Sequence, residues 1–558
     1  MSGDKSQILP LATTANRAGP SKARLLVILS ATLLLAPLYS SVFPLATLGL
    51  GGVRYEISQG KCPSQPATQT LGPDWDTTQD RQILIDRLKE AVRLPTQSYD
   101  DMGNPPDDDR FAPFAPFTDY LRTTFPLLHE HLELEVVNTY GKLYTWRGSN
   151  PSLKPIVLMA HQDVVPVNEA TLSQWTYPPW DAYEDEDGWI WGRGTTDCKN
   201  TLIGSMSAIE KLLSEAFKPS RTIHLSFGFD EEIGGSRSAR LLANLLFSKY
   251  GHHGVGLVLD EGFTGISTDF NRTFIRFGLA EKGAVNLELK VKTEGGHSSA
   301  PPRHTGIGLL SRLISHLEDH PAPLRLEGNP MLDFFHCAAE YATLSPKFRK
   351  QLSGKKYQKI IKKLTQGESL TSRVARAFLG TTQAVDLTEA GIKVNALPEV
   401  SKATINYRLD FHSSVKEHFD YIAGLLSPVV KDMGLAFSVN GATADSNAAG
   451  LVELSIVKGS EIESAPITPS SGPVWDLIGG TAKRQWPDGV VAPSAMIANT
   501  DTKWYWDVSQ HIYRFVPASL NQLLNFHTVD ERIHVDGHLQ TVRFYYNLLQ
   551  NAEGWTSD

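Results

Sequence analysis

The sequence predicts an α/β fold: a core built on a mostly parallel sheet, an inserted α+β unit, and one N-terminal transmembrane helix. Three observations predict it. Short unbroken apolar runs alternate with helical patterns and end abruptly at acidic residues or histidine. Val285 to Val291 switches to strict period-two alternation. Leu25 to Leu45 carries no charge at all.

The core elements follow in order. Ile156-Val157-Leu158-Met159-Ala160 stops at His161. Ile223, Leu225, Phe227 and Phe229 alternate with other residues before Asp230-Glu231-Glu232, and Gly256 to Leu259 stops at Asp260-Glu261-Gly262. Runs of this length read as buried parallel strands. Asp80 to Val92 and Thr201 to Phe217 read as helices between them, the second ended before Pro219. Strands alternating with helices imply an α/β core. Each polar cluster then falls just past the C-terminal end of a strand, where open α/β sheets bind ligands.

The insert comes next, at residues 284–442, between two parts of the main domain at 79–283 and 443–558. Within it Thr305 to Leu317 reads as a helix, Arg325 to Gly380 as a polar helical excursion, Thr404 to Leu409 and Leu435 to Val439 as strands, and Val415 to Leu426 as a helix.

The N-terminal part reads as a cytoplasmic tail at 1–24, a signal anchor at 25–45 and a Pro/Gly-rich stalk at 46–78. About 20 apolar residues span a bilayer. Arg17, Lys22 and Arg24 precede the run, which keeps the N-terminus cytoplasmic and sends the rest across. The long polar leader favours a retained anchor over a cleaved signal peptide. A single-pass type II protein with a lumenal body follows, and Asn271-Arg272-Thr273 is a glycosylation acceptor triplet there. A formal net charge of −8 gives no hint of a polyanionic partner, so nucleic acid is not expected. Cys62, Cys198 and Cys337 are too few for a disulfide framework and form no CxxC pair. Stability is expected from the core or from metal.

The chemistry-bearing residues are His161, Asp163, Asp197, Glu231, Glu232, Asp260 and His527. Histidine and carboxylates suit zinc when one coordination position must stay open. Two metals a few ångströms apart need a shared carboxylate, and proton transfer needs another carboxylate left free of metal. Taken singly, each residue also fits a plain role: His161 and Asp163 at a strand end, Asp197 as the N-cap of a helix, the acidic pairs as solvated turns.

Taken in order, the segments MAHQDVVPV, GWIWGRGTTDCK, FGFDEEIGG, LVLDEG, TEGGHSSAPP, NTDTKWYW and NFHTVDERI resemble the carboxypeptidase S family. These Gly-X carboxypeptidases are di-zinc metallopeptidases, alongside glutamate carboxypeptidase, aminoacylase and peptidase T-like enzymes. The resemblance runs from about residue 80 to the C-terminus and extends to the N-terminal anchor, as in a fungal vacuolar enzyme. It implies a zinc-exopeptidase-like core, a vacuolar or lysosome-like lumen, and an insert that serves as lid or dimerisation domain. It implies two Zn2+ per subunit. His161, Asp197 and Asp260 would hold one, with Glu261 the alternative to Asp260; Asp197, Glu232 and His527 would hold the other. It makes Glu231 the general base, Asp163 the acidic partner behind His161, and the Asp197–Cys198 bond cis. His297, Arg408 and Asn395 become substrate-binding residues, Arg408 for the substrate carboxylate. Lys503-Trp504 stands where many relatives carry Arg-His.

The expected activity is release of a C-terminal residue from short peptides. An aminoacylase or N-acyl amino acid hydrolase would use the same zinc chemistry with a different acyl pocket. A non-catalytic membrane-tethered binding protein should have lost ligands or the base, and here every such position is filled.

Overall fold

A computed structural model describes residues 61–346, 349, 365–367, 369–443 and 448–556. Among these, no helix is long and apolar enough to cross a membrane. The run 25–45 and the tail before it lie outside the described residues.

The core is a nine-stranded sheet. Its order is Glu133–Val137, Gly141–Trp146, Ile223–Gly228, Ile156–His161, Leu257–Asp260, Ile512–Arg514, Arg272–Glu281, Val490–Met496, with Ile266–Asp269 paired to Arg272–Glu281. The apolar runs form its centre: Ile156–His161 is parallel to both Ile223–Gly228 and Leu257–Asp260, and the last is parallel to Ile512–Arg514. These strands are buried on both faces; Ile156–His161 and Leu257–Asp260 are accordingly apolar up to their last residue, while Ile223–Gly228 also buries His224 and Ser226. The sheet is mixed, not mostly parallel as expected. The hairpin 133–146 and the strand Arg272–Glu281 run antiparallel to their inner neighbours. A tight turn closes the hairpin, and tight turns can join only antiparallel strands.

Helix Lys199–Ser214 is buried almost throughout and packs under the sheet against the C-terminal helix Val535–Asn551. A four-stranded sheet of Leu523–Leu524, Arg532–His534, Trp189–Trp191 and Tyr183–Glu184 joins the segments that precede Asp197 and follow His527.

The insert is a six-stranded sheet in the order Thr382–Ala390, Val400–Leu409, Gly283–Lys292, Leu451–Ile456, Ala436–Val439, Ala442–Thr443. Helices Gly306–Asp319 and Val415–Asp432 cover one face through an apolar cluster that includes Leu313, Leu317, Phe419 and Ile422. Because Leu451–Ile456 pairs inside this sheet, the inserted unit continues past residue 442. The excursion in its middle does not stay with it. Helices Pro330–Tyr341 and Leu370–Leu379 pack on the edge of the core sheet, where Phe334, Phe335 and Leu379 meet Phe274, Val490 and Ala492.

Residues 62–78, read from composition as the end of a stalk, are bound to the body. The Gln65 amide pairs with the backbone of Val491 in both directions, at 2.8 and 2.9 Å. Trp75 is buried in the main core. Cys62 forms a disulfide with Cys337, closing a loop of 275 residues. The expectation of no covalent bracing is therefore corrected: two of the three cysteines pair, and only Cys198 is free.

Candidate metal centre

The central strands deliver their polar residues to one place. His161 is the last residue of its strand and is buried. Its Nε2 lies 2.9 Å from Asp197 Oδ1. Asp197 Oδ2 lies 3.0 Å from His527 Nε2, which is also 3.2 Å from Glu232 Oε2. One carboxylate thus stands between two imidazoles, one on each oxygen. The Asp197–Cys198 bond is cis.

Three donor sets overlap there, each with ligand atoms within 4.8 Å of one another: His161, Glu231 and Glu232; His161, Asp197 and Glu261; Asp197, Glu232 and His527. Five of the expected residues, His161, Asp197, Glu231, Glu232 and His527, meet in these sets. Asp260 does not join them, and Glu261 takes its place. Asp260 ends its strand, and consecutive residues of an extended chain point to opposite sides, so only one of the pair faces the cluster.

Asp163 is fully buried. Its oxygens accept the backbone N–H groups of Glu231 and Glu232, both at 3.1 Å, and the Ser98 hydroxyl at 2.7 Å. Its backbone oxygen is 2.9 Å from His161 Nδ1. It therefore fixes both the imidazole ring and the turn that carries the two glutamates.

The electrostatics are those of a cation site. Burial opposes charge on Asp197, but hydrogen bonds from His161 and His527 outweigh it and hold that carboxyl below the ordinary range. Glu231 is pushed well above the ordinary range by burial and, against the pull of His161, by Glu232, Asp501 and Glu261. Glu232 rises to about 7, by burial and by the charge of Asp197. Glu232 Oε1 is buried without a partner among the described residues, as is Asp260 Oδ2. Crowded carboxylates, an orphaned oxygen and two imidazoles at hydrogen-bond distance from one carboxylate fit a pair of divalent cations. Buried Cys198 contributes packing, and burial pushes its thiol up.

The three expected substrate residues stand apart. Arg408 lies in a strand of the insert, and its Nη1 donates to Asn499 Oδ1 at 3.0 Å. Burial lowers its pKa, which marks a guanidinium partly removed from water. His297 and Asn395 are exposed at the small two-stranded sheet of Gly296–His297 and Ala396–Leu397, where Ser298 N donates to Asn395 O. His297 Nδ1 contacts only Ser299 among the described residues. The structure does not bring these two to the cluster.

Sequence reasoning missed Asn499 as the partner of Arg408, and it missed Glu531. Glu531 is fully buried and accepts a set of donors from residues 193–197. Both lie inside segments that carry the family resemblance, but only contacts show what they do.

Comparison with known proteins agrees with this geometry. The family model for Peptidase family M20/M25/M40 matches residues 157–551. Carboxypeptidase S of Saccharomyces cerevisiae is 41% identical over 494 residues, covering 85% of this chain and 84% of that protein. An N-fatty-acyl-amino acid synthase/hydrolase of Danio rerio is 33% identical over 506 residues, covering 87% and 88%. Among solved structures, an M20 family metallo-carboxypeptidase from Sulfolobus solfataricus has a TM-score of 0.59 at 18% identity, covering 84% of this chain and 99% of that one. At that identity the likeness speaks for the fold alone. Sequence match, fold and clustered donors lead to one assignment: the chain belongs to peptidase family M20/M25/M40, a family of metal-dependent peptidases, and is a homologue of carboxypeptidase S.

Proposed function

We propose that the chain is a zinc-dependent carboxypeptidase that releases the C-terminal residue of short, Gly-X-type peptides, with two zinc ions at the overlapping donor sets. The observation that carries this is the Asp197 carboxylate, with one oxygen on His161 and the other on His527. His161 and Glu261 would complete one site with Asp197, and Glu232 and His527 the other. Bound there, zinc supplies a Lewis acid for the scissile carbonyl and lowers the pKa of water. Glu231 takes a proton from the attacking water and returns one to the leaving amine. Burial and the neighbouring carboxylates raise its pKa, which makes it a stronger proton acceptor than an ordinary carboxylate. Arg408 receives the terminal carboxylate, for which a planar fork of donors is matched.

Profiling Gly-X dipeptides against N-acyl amino acids, with and without chelator, tests the proposal. Chelator-sensitive release of X supports it; no turnover of any dipeptide by zinc-loaded protein rejects it. The second reading, N-acyl amino acid hydrolysis, is favoured by the Danio rerio relative, whose name describes that chemistry.

The chain is further proposed to sit in a vacuole-like lumen, held by the anchor at 25–45. The Cys62–Cys337 disulfide suits an oxidising compartment, and Asn271 is exposed at a hairpin tip. A homodimer through the insert is supported by its edge strand Thr382–Ala390 and the hairpin beyond it. That surface exposes Leu387, Ile392 and Val394 beside Asn395.

A further inference from the structure

We propose that Glu531 is a positioning residue that sets where Asp197 presents its carboxylate between His161 and His527. This rests on the metal-site reading above and adds to it a residue outside the ligand sets. Splitting one carboxylate between two imidazoles at 2.9 and 3.0 Å leaves little freedom for the backbone behind it. Helix Lys199–Ser214 does not supply that control, because no side chain caps its start.

Glu531 does. Its Oε1 accepts the backbone N–H groups of Gly194 at 3.0 Å, Thr196 at 2.9 Å and Asp197 at 3.3 Å, and the Thr196 hydroxyl at 2.8 Å. Its Oε2 accepts Arg193 Nη1 at 2.6 Å, and its backbone oxygen accepts Gly192 N at 2.9 Å. Every one of these partners lies in the six residues that end at Asp197. The pair is out of water: Glu531 is 0% exposed and Arg193 4%. The Arg193 guanidinium meets one oxygen of this buried carboxylate, and the N–H and O–H donors of residues 194–197 converge on the other.

Glu531 also lies four residues after His527 on one loop. That loop therefore grips Asp197 at both ends, the side chain through His527 and the backbone through Glu531. The distance between ligand and bridging carboxylate is set by one short piece of chain. Pairing of Arg532–His534 with Trp189–Trp191 continues the same grip on the far side.

The experiment is metal binding by folded protein. Metal-free wild type, Glu531→Gln, Thr196→Val and Glu210→Gln are titrated with Zn2+ against a competing chelator, and their Co2+ visible spectra are recorded well below each unfolding midpoint. Gln puts an N–H2 against either the backbone donors or Arg193. Thr196→Val removes one donor to Oε1 and keeps the ion pair, so it decides the matter if Glu531→Gln does not fold. Glu210 is a buried carboxylate that also accepts two backbone N–H groups, but at helix Pro126–His131, away from the site. Its variant reports the cost of losing such a group without touching Asp197. The expected result is zinc binding weakened 10–100-fold in Glu531→Gln, the usual range for residues that orient ligands. Thr196→Val is expected to show a smaller loss, and the Co2+ spectrum to change in both. Glu210→Gln should lower the unfolding midpoint and leave affinity and spectrum as in wild type. Wild-type affinity and spectrum in folded Glu531→Gln, or in Thr196→Val where the former does not fold, overturn the proposal. Equal weakening in Glu210→Gln overturns it too. Failure of wild type to take up any ion overturns the metal site and this role together.

Discussion

Asp163 accepts the backbone N–H groups of Glu231 and Glu232 and the Ser98 hydroxyl, so three contacts fix a single carboxylate. It holds still the turn that carries Glu231, the proposed general base. Glu231 itself is raised by burial and neighbouring carboxylates, so it accepts a proton more readily than an ordinary carboxylate. Glu231→Gln is predicted to lower kcat roughly 10²–10⁴-fold, the range for a lost general base, while metal analysis still finds wild-type content. Steady-state kinetics beside metal analysis check this. That His161, Glu231 and Glu232 would fall together was legible, because each follows an apolar strand of one sheet; Asp197 and His527 came only through the family resemblance. The choice between Asp260 and Glu261 was not, since adjacent acids differ only in the side of the chain they face.

The turn Asp501–Trp504 and the residues before it join the insert to the catalytic turn. Asn499 accepts from Arg408 and donates to the Lys282 carbonyl at 2.6 Å, at the start of the insert. Thr500 donates to Glu281, which also pairs with fully buried Arg514 at 3.1 Å. At the other end Trp504 Nε1 donates to Gly234 O at 3.2 Å, and Asp501 fills the space beside Gly235. Gly235 has φ of 67°, and a Cβ there would stand 1.9 Å from Asp501 Oδ1. Asn499→Ala is predicted to raise KM about tenfold for peptides with a free carboxylate, since a hydrogen bond to a charged group contributes roughly 1.5–3 kcal/mol. C-terminal amides, which offer Arg408 no anion, should show no such change in KM. A second prediction concerns helix Val535–Asn551. His538 is buried against Asn200, and burial lowers its pKa to about 4. The unfolded value is about 6.5, so the unfolded chain binds the proton more readily. The stability this group contributes is intact above about pH 6.5 and is lost as pH falls toward 4. His538→Gln should flatten that loss, read from denaturation midpoints at pH 7 and pH 5. Apolar runs made the central strands legible. The antiparallel return of Arg272–Glu281 was not, because its pairing depends on partners more than 200 residues away.

At the scale of the molecule, the chain is bound together by segments that composition alone misplaces. The strap 62–78 and the helices Pro330–Tyr341 and Leu370–Leu379 meet at the core-sheet edge Val490–Met496, and the disulfide links the strap to the first of these helices. Closing a loop of 275 residues would stabilise by about 5.6 kcal/mol in the chain-entropy model. Cys337→Ser, or reduction of the wild type, is predicted to lower Tm by several degrees, checked by calorimetry with and without reductant. An unchanged Tm would mean that the strap stays docked without its covalent link. The pairing was not legible because three cysteines give no unique partner, and Cys62 fell in a segment read as polar stalk. The strand Gly283–Lys292 was legible from its period-two run at 285–291. Its partner Leu451–Ile456 was not, because the sheet recruits it across an irregular stretch.

The central claim is that these side chains form a cage for two divalent cations that share Asp197. Anomalous diffraction at the zinc edge, on crystals of the zinc-loaded protein, tests it most directly. Two peaks are predicted, one among His161, Asp197 and Glu261 and one among Asp197, Glu232 and His527. A single peak, a peak held by Asp260 in place of Glu261, or no peak in contact with Asp197 would contradict it.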